Sequence, residues 1–100
     1  MEYKKACELY KILGDESRLE IVRLLQNTGE MCACNFLQFV KCGQATLSHH
    51  LDVLAKADLV YRRREGTRIL YRANSELIND LMKVFDTEKA KAGDAKCNTH

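Results

Sequence analysis

Gln44-Ala45-Thr46-Leu47-Ser48-His49-His50-Leu51-Asp52-Val53-Leu54-Ala55-Lys56-Ala57 reads as one helix with two different faces. Leu47, Leu51, Leu54 and Ala55 fall at i, i+4, i+7 and i+8, a single apolar stripe. Gln44, Thr46, Ser48, His49, His50 and Asp52 lie away from it. The first two turns carry short amide, hydroxyl and imidazole groups, with none of the long Lys and Glu side chains that an idle solvent face usually has. Cys42-Gly43 makes a tight break just before this helix.

Downstream, Leu59-Val60-Tyr61-Arg62-Arg63-Arg64 and Thr67-Arg68-Ile69-Leu70-Tyr71-Arg72 are β-branched and aromatic, as strands are. Glu65-Gly66 is the expected hairpin turn between them. Asn74 or Ser75 then caps a last helix over about residues 75–90, with Leu77, Ile78, Leu81, Met82 and Phe85 on one face. Upstream, a first helix over about residues 4–13 is expected to close on a left-handed Gly14. Asp15 can cap a second helix that Gly29 ends. A short third helix, about residues 32–40, is expected to carry Cys32, Cys34, Phe36, Leu37, Phe39 and Val40. Two helices joined by a short break and followed by a basic hairpin describe a winged helix-turn-helix. The predicted fold is mainly α with a small β-hairpin, five helices plus a wing. One domain spans residues 1–90, and residues 91–100 form a small, polar, loose tail.

One hundred residues bury a modest core, so a dimer that buries more surface would help this chain. No apolar run reaches the length of a membrane span, and the N-terminus has no apolar leader core. A cytoplasmic protein without a membrane partner is expected. No phosphate-binding glycine loop, Ser/His/Asp set or paired carboxylate site stands out, which argues against an enzyme. The net charge of +2 conceals an asymmetry. Residues 41–72 hold Lys41, Lys56, Arg62, Arg63, Arg64, Arg68 and Arg72 against Asp52, Asp58 and Glu65. Positive charge gathered in one block suits an anionic partner such as double-stranded DNA.

A helix of this length fits the major groove, with its N-terminal end toward the bases. Gln44, Thr46, Ser48, His49 and His50 are the candidate contacts there. Gln can bond adenine with both amide groups, and the Thr methyl can meet thymine. Arg63, Arg64, Thr67 and Arg68 are the candidate wing contacts, to phosphates or a minor groove. The adjacent pair His49-His50 is a poor chelate, because neighbouring side chains on a helix diverge by about 100°.

Residues 9–73 resemble the ArsR/SmtB family of metal-sensing winged-helix repressors. The resemblance rests on Leu13-Gly14-Asp15-Glu16-Ser17-Arg18-Leu19-Glu20-Ile21-Val22 and Gly29-Glu30-Met31-Cys32-Ala33-Cys34-Asn35. It continues through Ala45-Thr46-Leu47-Ser48-His49-His50-Leu51-Asp52-Val53-Leu54 and Arg64-Glu65-Gly66-Thr67-Arg68-Ile69-Leu70-Tyr71-Arg72. It implies a homodimer built from the first and last helices. It also implies operator binding without any cofactor, and release when an inducer binds. A two-fold dimer predicts an operator that is an inverted repeat.

The family's arsenic- and cadmium-type sensors carry Cys-x-Cys where Cys32 and Cys34 stand. Thiolates prefer soft ions, so As(III) or Sb(III) is the expected inducer, with Cd(II), Pb(II) or Zn(II) as alternatives. Trivalent arsenic takes three sulfurs, and the third donor is open. Some members continue the motif to a cysteine three residues on; here that position is Leu37. Cys7, from the partner subunit as in cadmium-sensing relatives, or Cys97 on the tail is preferred over Cys42. Cys42 lies about 12 Å along a helix from Cys34. The family's second, nitrogen-rich site on the last helix is not expected, because residues 75–90 contain no His. In a regular helix Cys32 and Cys34 would point about 200° apart, so gripping one ion would require the first turn to open. That opening is the expected route from ion to reader helix. A thiol-redox or reactive-sulfur signal on the same fold is the rival reading. Five cysteines, an odd number, exclude complete internal pairing.

Overall fold

The computed structural model describes residues 1–86 of the chain. Four α-helices, three strands and two 3-10 turns make up this part. Helix α1 is Tyr3–Leu13 and α2 is Glu16–Thr28. The Asp15 carboxylate accepts a bond from the Arg18 backbone N–H at 3.1 Å, so it is the N-cap the sequence promised. Gly14 is not left-handed. Its φ of −71° keeps it helical, and its N–H reaches Lys11 O, so the first turn closes in a tight helical register. Gly29 takes the positive φ, 94°, that a residue with a Cβ adopts only with strain.

After Gly29 the structure departs from the sequence reading. Glu30–Cys32 forms strand β1, which pairs antiparallel with the second wing strand. The expected third helix begins only at Ala33. It is a 3-10 turn, Ala33–Gln38. Three residues are too few to display a period, and their pairing partner lies some forty positions away. Helix α3, Gln44–Lys56, has the predicted span. Leu47, Leu51 and Leu54 on its stripe are buried.

Strands β2 (Val60–Glu65) and β3 (Arg68–Ala73) form the wing, and the sheet order is β1-β3-β2. The turn sits at Gly66-Thr67, one residue later than expected, because Glu65 pairs with Arg68 across it. Gly66 supplies the positive φ there, 65°. Asn74 is the buried N-cap of α4, Ser75–Met82. It caps through a bond from Leu77 N, and its amide donates to Asp58 O at 2.8 Å. The helix ends earlier than predicted and continues as a 3-10 turn, Lys83–Phe85. The remainder of the expected last helix and the tail, including Cys97 and His100, lie outside the described residues.

One core joins all these elements. Leu9 comes from α1, Ile21 and Leu25 from α2, Leu51 and Leu54 from α3, and Leu81 from α4. Phe36, fully buried, plugs the space under the 3-10 turn and meets Tyr71 edge-on at 6.2 Å. No helix among the described residues is long and apolar enough to cross a membrane.

Candidate DNA-reading surface and thiol site

The exposed start of α3 presents Gln44, Thr46, Ser48 and His49 together. Apolar side chains one turn below fix this face outward. His50 does not join it. The imidazole is 7% exposed and points into the fold. Its Nδ1 accepts a bond from Arg18 Nε at 3.0 Å, and Nε2 stands 3.8 Å from Asp15 Oδ1. The sequence placed His50 with the DNA contacts because it adjoins His49. A 100° step along the helix instead turns it toward α2. The Arg18 backbone bond, more than any other contact, holds the Asp15 carboxyl below its ordinary range.

On the wing, Arg63, Arg64, Thr67 and Arg68 are all exposed. They are not equally free. Arg63 grips Glu30 of β1 through both Nε and Nη2, at 2.8 and 3.0 Å, and lies 3.8 Å from Glu65. Arg62 bonds Asp52 of α3 at 3.2 Å. Arg72 lies over the Tyr61 ring at 4.4 Å from its centroid, a cation–π contact. Arg64 and Arg68 have no carboxylate within 4 Å among the described residues. Two of the carboxylates that tie down the wing, Glu30 and Asp52, are on other elements, so a sequence count of basic residues could not find them.

The thiol pair overturns the expected geometry. Cys32 closes strand β1 with extended backbone (φ −74°, ψ 145°), and Cys34 enters the 3-10 turn. The bend between strand and turn brings the two sulfurs to 2.9 Å. No helical turn has to open. A tetrahedral ion with sulfur at about 2.3 Å needs its donors about 3.8 Å apart. Side-chain rotation by about 1 Å therefore suffices. Cys32 is 6% exposed and Cys34 is exposed. The bond between the thiols makes them share a proton unequally. It pulls Cys32 below the ordinary thiol range, helped by a Cys34 backbone bond and the Arg68 guanidinium. It pushes Cys34 up. The Arg68 guanidinium beside the pair favours its thiolate form.

The pair opens onto a groove of about 340 Å³, which Gln44, Ser48, Thr67 and Arg68 also border. The thiols therefore share one cleft with residues of the reader helix and the wing. Cys7 is exposed on α1, and Cys42 is half-buried against the core. Among the described residues of one chain, no third Cys, His, Asp or Glu completes a metal cluster with the pair.

A helix-turn-helix whose second helix shows short polar groups, beside a basic two-stranded wing, defines a DNA-binding transcriptional regulator of the winged-helix class. The chain belongs to the arsR family: the sequence profile described as "Bacterial regulatory protein, arsR family" matches residues 15–62. A helix-turn-helix transcriptional regulator of Methanocaldococcus jannaschii is 40% identical over 85 residues, 85% of this chain and 96% of that protein. The arsenical resistance operon repressor of Staphylococcus aureus is 41% identical, over 83% of this chain and 79% of that one. The cadmium resistance regulatory protein CadC of Listeria innocua is 36% identical, over 75% of this chain and 63% of its own length. Among solved structures, an ArsR-like regulator of Rhodococcus sp. RHA1 shares the fold at a TM-score of 0.76 and 23% identity, covering 91% of this chain and 85% of that one. A homodimeric winged helix-turn-helix domain of Mycobacterium bovis matches at a TM-score of 0.68 and 26% identity, over 97% of this chain and 85% of that one. The family regulates transcription by binding DNA and is not a family of enzymes.

Proposed function

We propose that this chain is a repressor that binds an inverted-repeat operator as a homodimer and leaves it when As(III) or Sb(III) is captured by Cys32 and Cys34. The observation that carries this reading is the 2.9 Å approach of the two sulfurs at the rim of a cleft shared with Gln44, Ser48, Thr67 and Arg68. Soft trivalent ions prefer thiolates, and the Cys34 and Arg68 contacts lower the Cys32 thiol from its ordinary range. An ion held there occupies the space between the reader helix and the turn end of the wing. Coupling of about 1–3 kcal/mol, the usual allosteric range, weakens DNA binding roughly 5–150-fold.

The DNA contacts in this reading are Gln44, Thr46, Ser48 and His49 on α3, with Arg64, Thr67 and Arg68 on the wing. Arg63 joins them only by exchanging Glu30 for a phosphate. The dimer face is the side of α1 and α4, where Tyr10 donates to Leu81 O and packs on Phe85. Tyr3, Met82 and Phe85 stand exposed on that side. The third sulfur comes from Cys7 of the partner subunit or from Cys97. Cd(II), Pb(II) and Zn(II) are the alternative ions, which the likeness to CadC supports.

Equilibrium dialysis against arsenite in excess reductant tests the site. One arsenite per monomer is expected, lost in Cys32→Ser and Cys34→Ser and weakened in whichever of Cys7→Ser and Cys97→Ser removes the third donor. A second reading has support in the same distance. Sulfurs this close also suit a Cys32–Cys34 disulfide formed by an oxidant, which would make the chain a thiol-redox repressor. Absence of arsenite binding, with operator release by peroxide, would establish that reading.

A further inference from the structure

The polar joint at the root of the reader helix has no part in base contact or in ion capture. It consists of His50 on α3, Arg18 on α2 and the cap residue Asp15. Arg18 spans three elements. Its Nε donates to His50 Nδ1 at 3.0 Å, and its Nη1 donates to Ile12 O of α1 at 3.5 Å. Its own backbone N–H is fixed by Asp15. The imidazole is the one buried polar side chain that α3 contributes.

The direction of the bond decides its chemistry. Arg18 is always charged and only donates. His50 Nδ1 must therefore keep its lone pair, and the neutral ring carries its proton on Nε2, the nitrogen that faces Asp15 Oδ1 at 3.8 Å. A second proton goes to Nδ1. It turns an acceptor into a donor aimed at a donor, and sets two cations side by side in a half-buried joint. Asp15 lies on the opposite edge of the ring, so the charged ring is drawn away from Arg18. His49, the next residue, is 6.0 Å away ring to ring and exposed. From α1, Lys5 and Glu8 border α3 in the groove at Val53 and Lys56, one turn further along.

We propose that His50 is a positioning residue of the DNA reader: in its neutral form it pins α3 to α2 through Arg18, and acidification weakens operator binding by releasing that pin. The device is separate from the thiols. It acts on another face of α3, about 100° round the helix from Leu51 at the cleft, and it needs no ion.

Operator affinity should be measured by fluorescence anisotropy in reductant, without metal, from about pH 8 to about pH 5, the span in which histidine changes charge. The probe is a duplex from immediately upstream of the chain's own gene. His50→Asn keeps an acceptor at the δ position and cannot titrate. It should bind as wild type does at the alkaline end. At the acid end wild type should be roughly tenfold weaker than His50→Asn, the scale of one hydrogen bond to a charged group. His49 is present in both proteins, so any gain from its own protonation cancels in the ratio. His50→Leu should be weak throughout, with circular dichroism confirming its fold. Long-range ¹H–¹⁵N spectra of wild type at the alkaline end should show the proton of His50 on Nε2. Parallel pH profiles for wild type and His50→Asn, or a proton on Nδ1, would overturn the proposal.

Discussion

The two sides of α3 are built on opposite principles. On the side of α2, the buried His50 is held by a 3.0 Å bond to Arg18 in a half-buried joint. On the side of β1, Leu47 and Ser48 border an open cleft that they share with Cys32, Cys34 and Arg68. The first side fixes where the reader stands. The second leaves room for a ligand to change how it stands. A helix pinned on one flank and open on the other is well placed to pivot rather than unfold. The thiol geometry agrees with that, since the sulfurs meet without the melting of any helical turn.

The largest expected effect tests the open side. Cys32→Ser/Cys34→Ser should abolish release by arsenite and leave operator affinity in its absence within about twofold, since Cys34 is exposed and Ser replaces Cys32 at nearly the same volume. Gel-shift titration with and without arsenite reads both quantities. Next is the plug beneath the cleft. Phe36→Ala should cost about 3–5 kcal/mol in urea unfolding, because the side chain is fully buried against Tyr71. It should also weaken arsenite binding, whereas a core substitution beneath the locked side should not.

Asn74→Ala, at the base of the wing and far from both flanks, should cost about 1–2 kcal/mol. It loses a helix cap and leaves Asp58 O without its donor. The arsenite response should survive, which separates plain stability from coupling. The smallest effect concerns the wing. Glu30→Gln weakens the grip on Arg63, and operator binding at low salt should tighten by about twofold as that charge becomes available to phosphate. The Arg63 bond holds the Glu30 carboxyl below its ordinary range. The sign follows: this pair stabilises the fold above the unfolded glutamate value of about 4.3. The contribution is lost as pH falls through the lower, folded value. Acid unfolding of Glu30→Gln should therefore be shallower there than that of wild type.

Much of this was legible in the residues. The stripe of Leu47, Leu51 and Leu54 placed the reader helix within a residue, because a long amphipathic period is an unambiguous signal. Asp15 and Asn74 announced their caps for the same reason: each acts on a backbone group only three residues away. What failed to show were pairings across the chain. Strand β1 exists because β3 is there to receive it, and nothing within Glu30-Met31-Cys32 reports that. The convergence of the sulfurs followed from the same missed strand. The partners of His50 and Arg63 within the chain, Arg18 and Glu30, lie 32 and 33 positions away, and no local pattern reports them. Cys7 and Cys97, the proposed third donors, were named from thiol chemistry and not from any local pattern.

The most direct test of the account is anisotropy of the upstream duplex, titrated with wild type and with Cys32→Ser/Cys34→Ser, each with and without one equivalent of arsenite in excess reductant. The account predicts tight binding by both proteins and release by arsenite of wild type alone. Wild-type binding that arsenite leaves unchanged, or release that persists in the double variant, would contradict it.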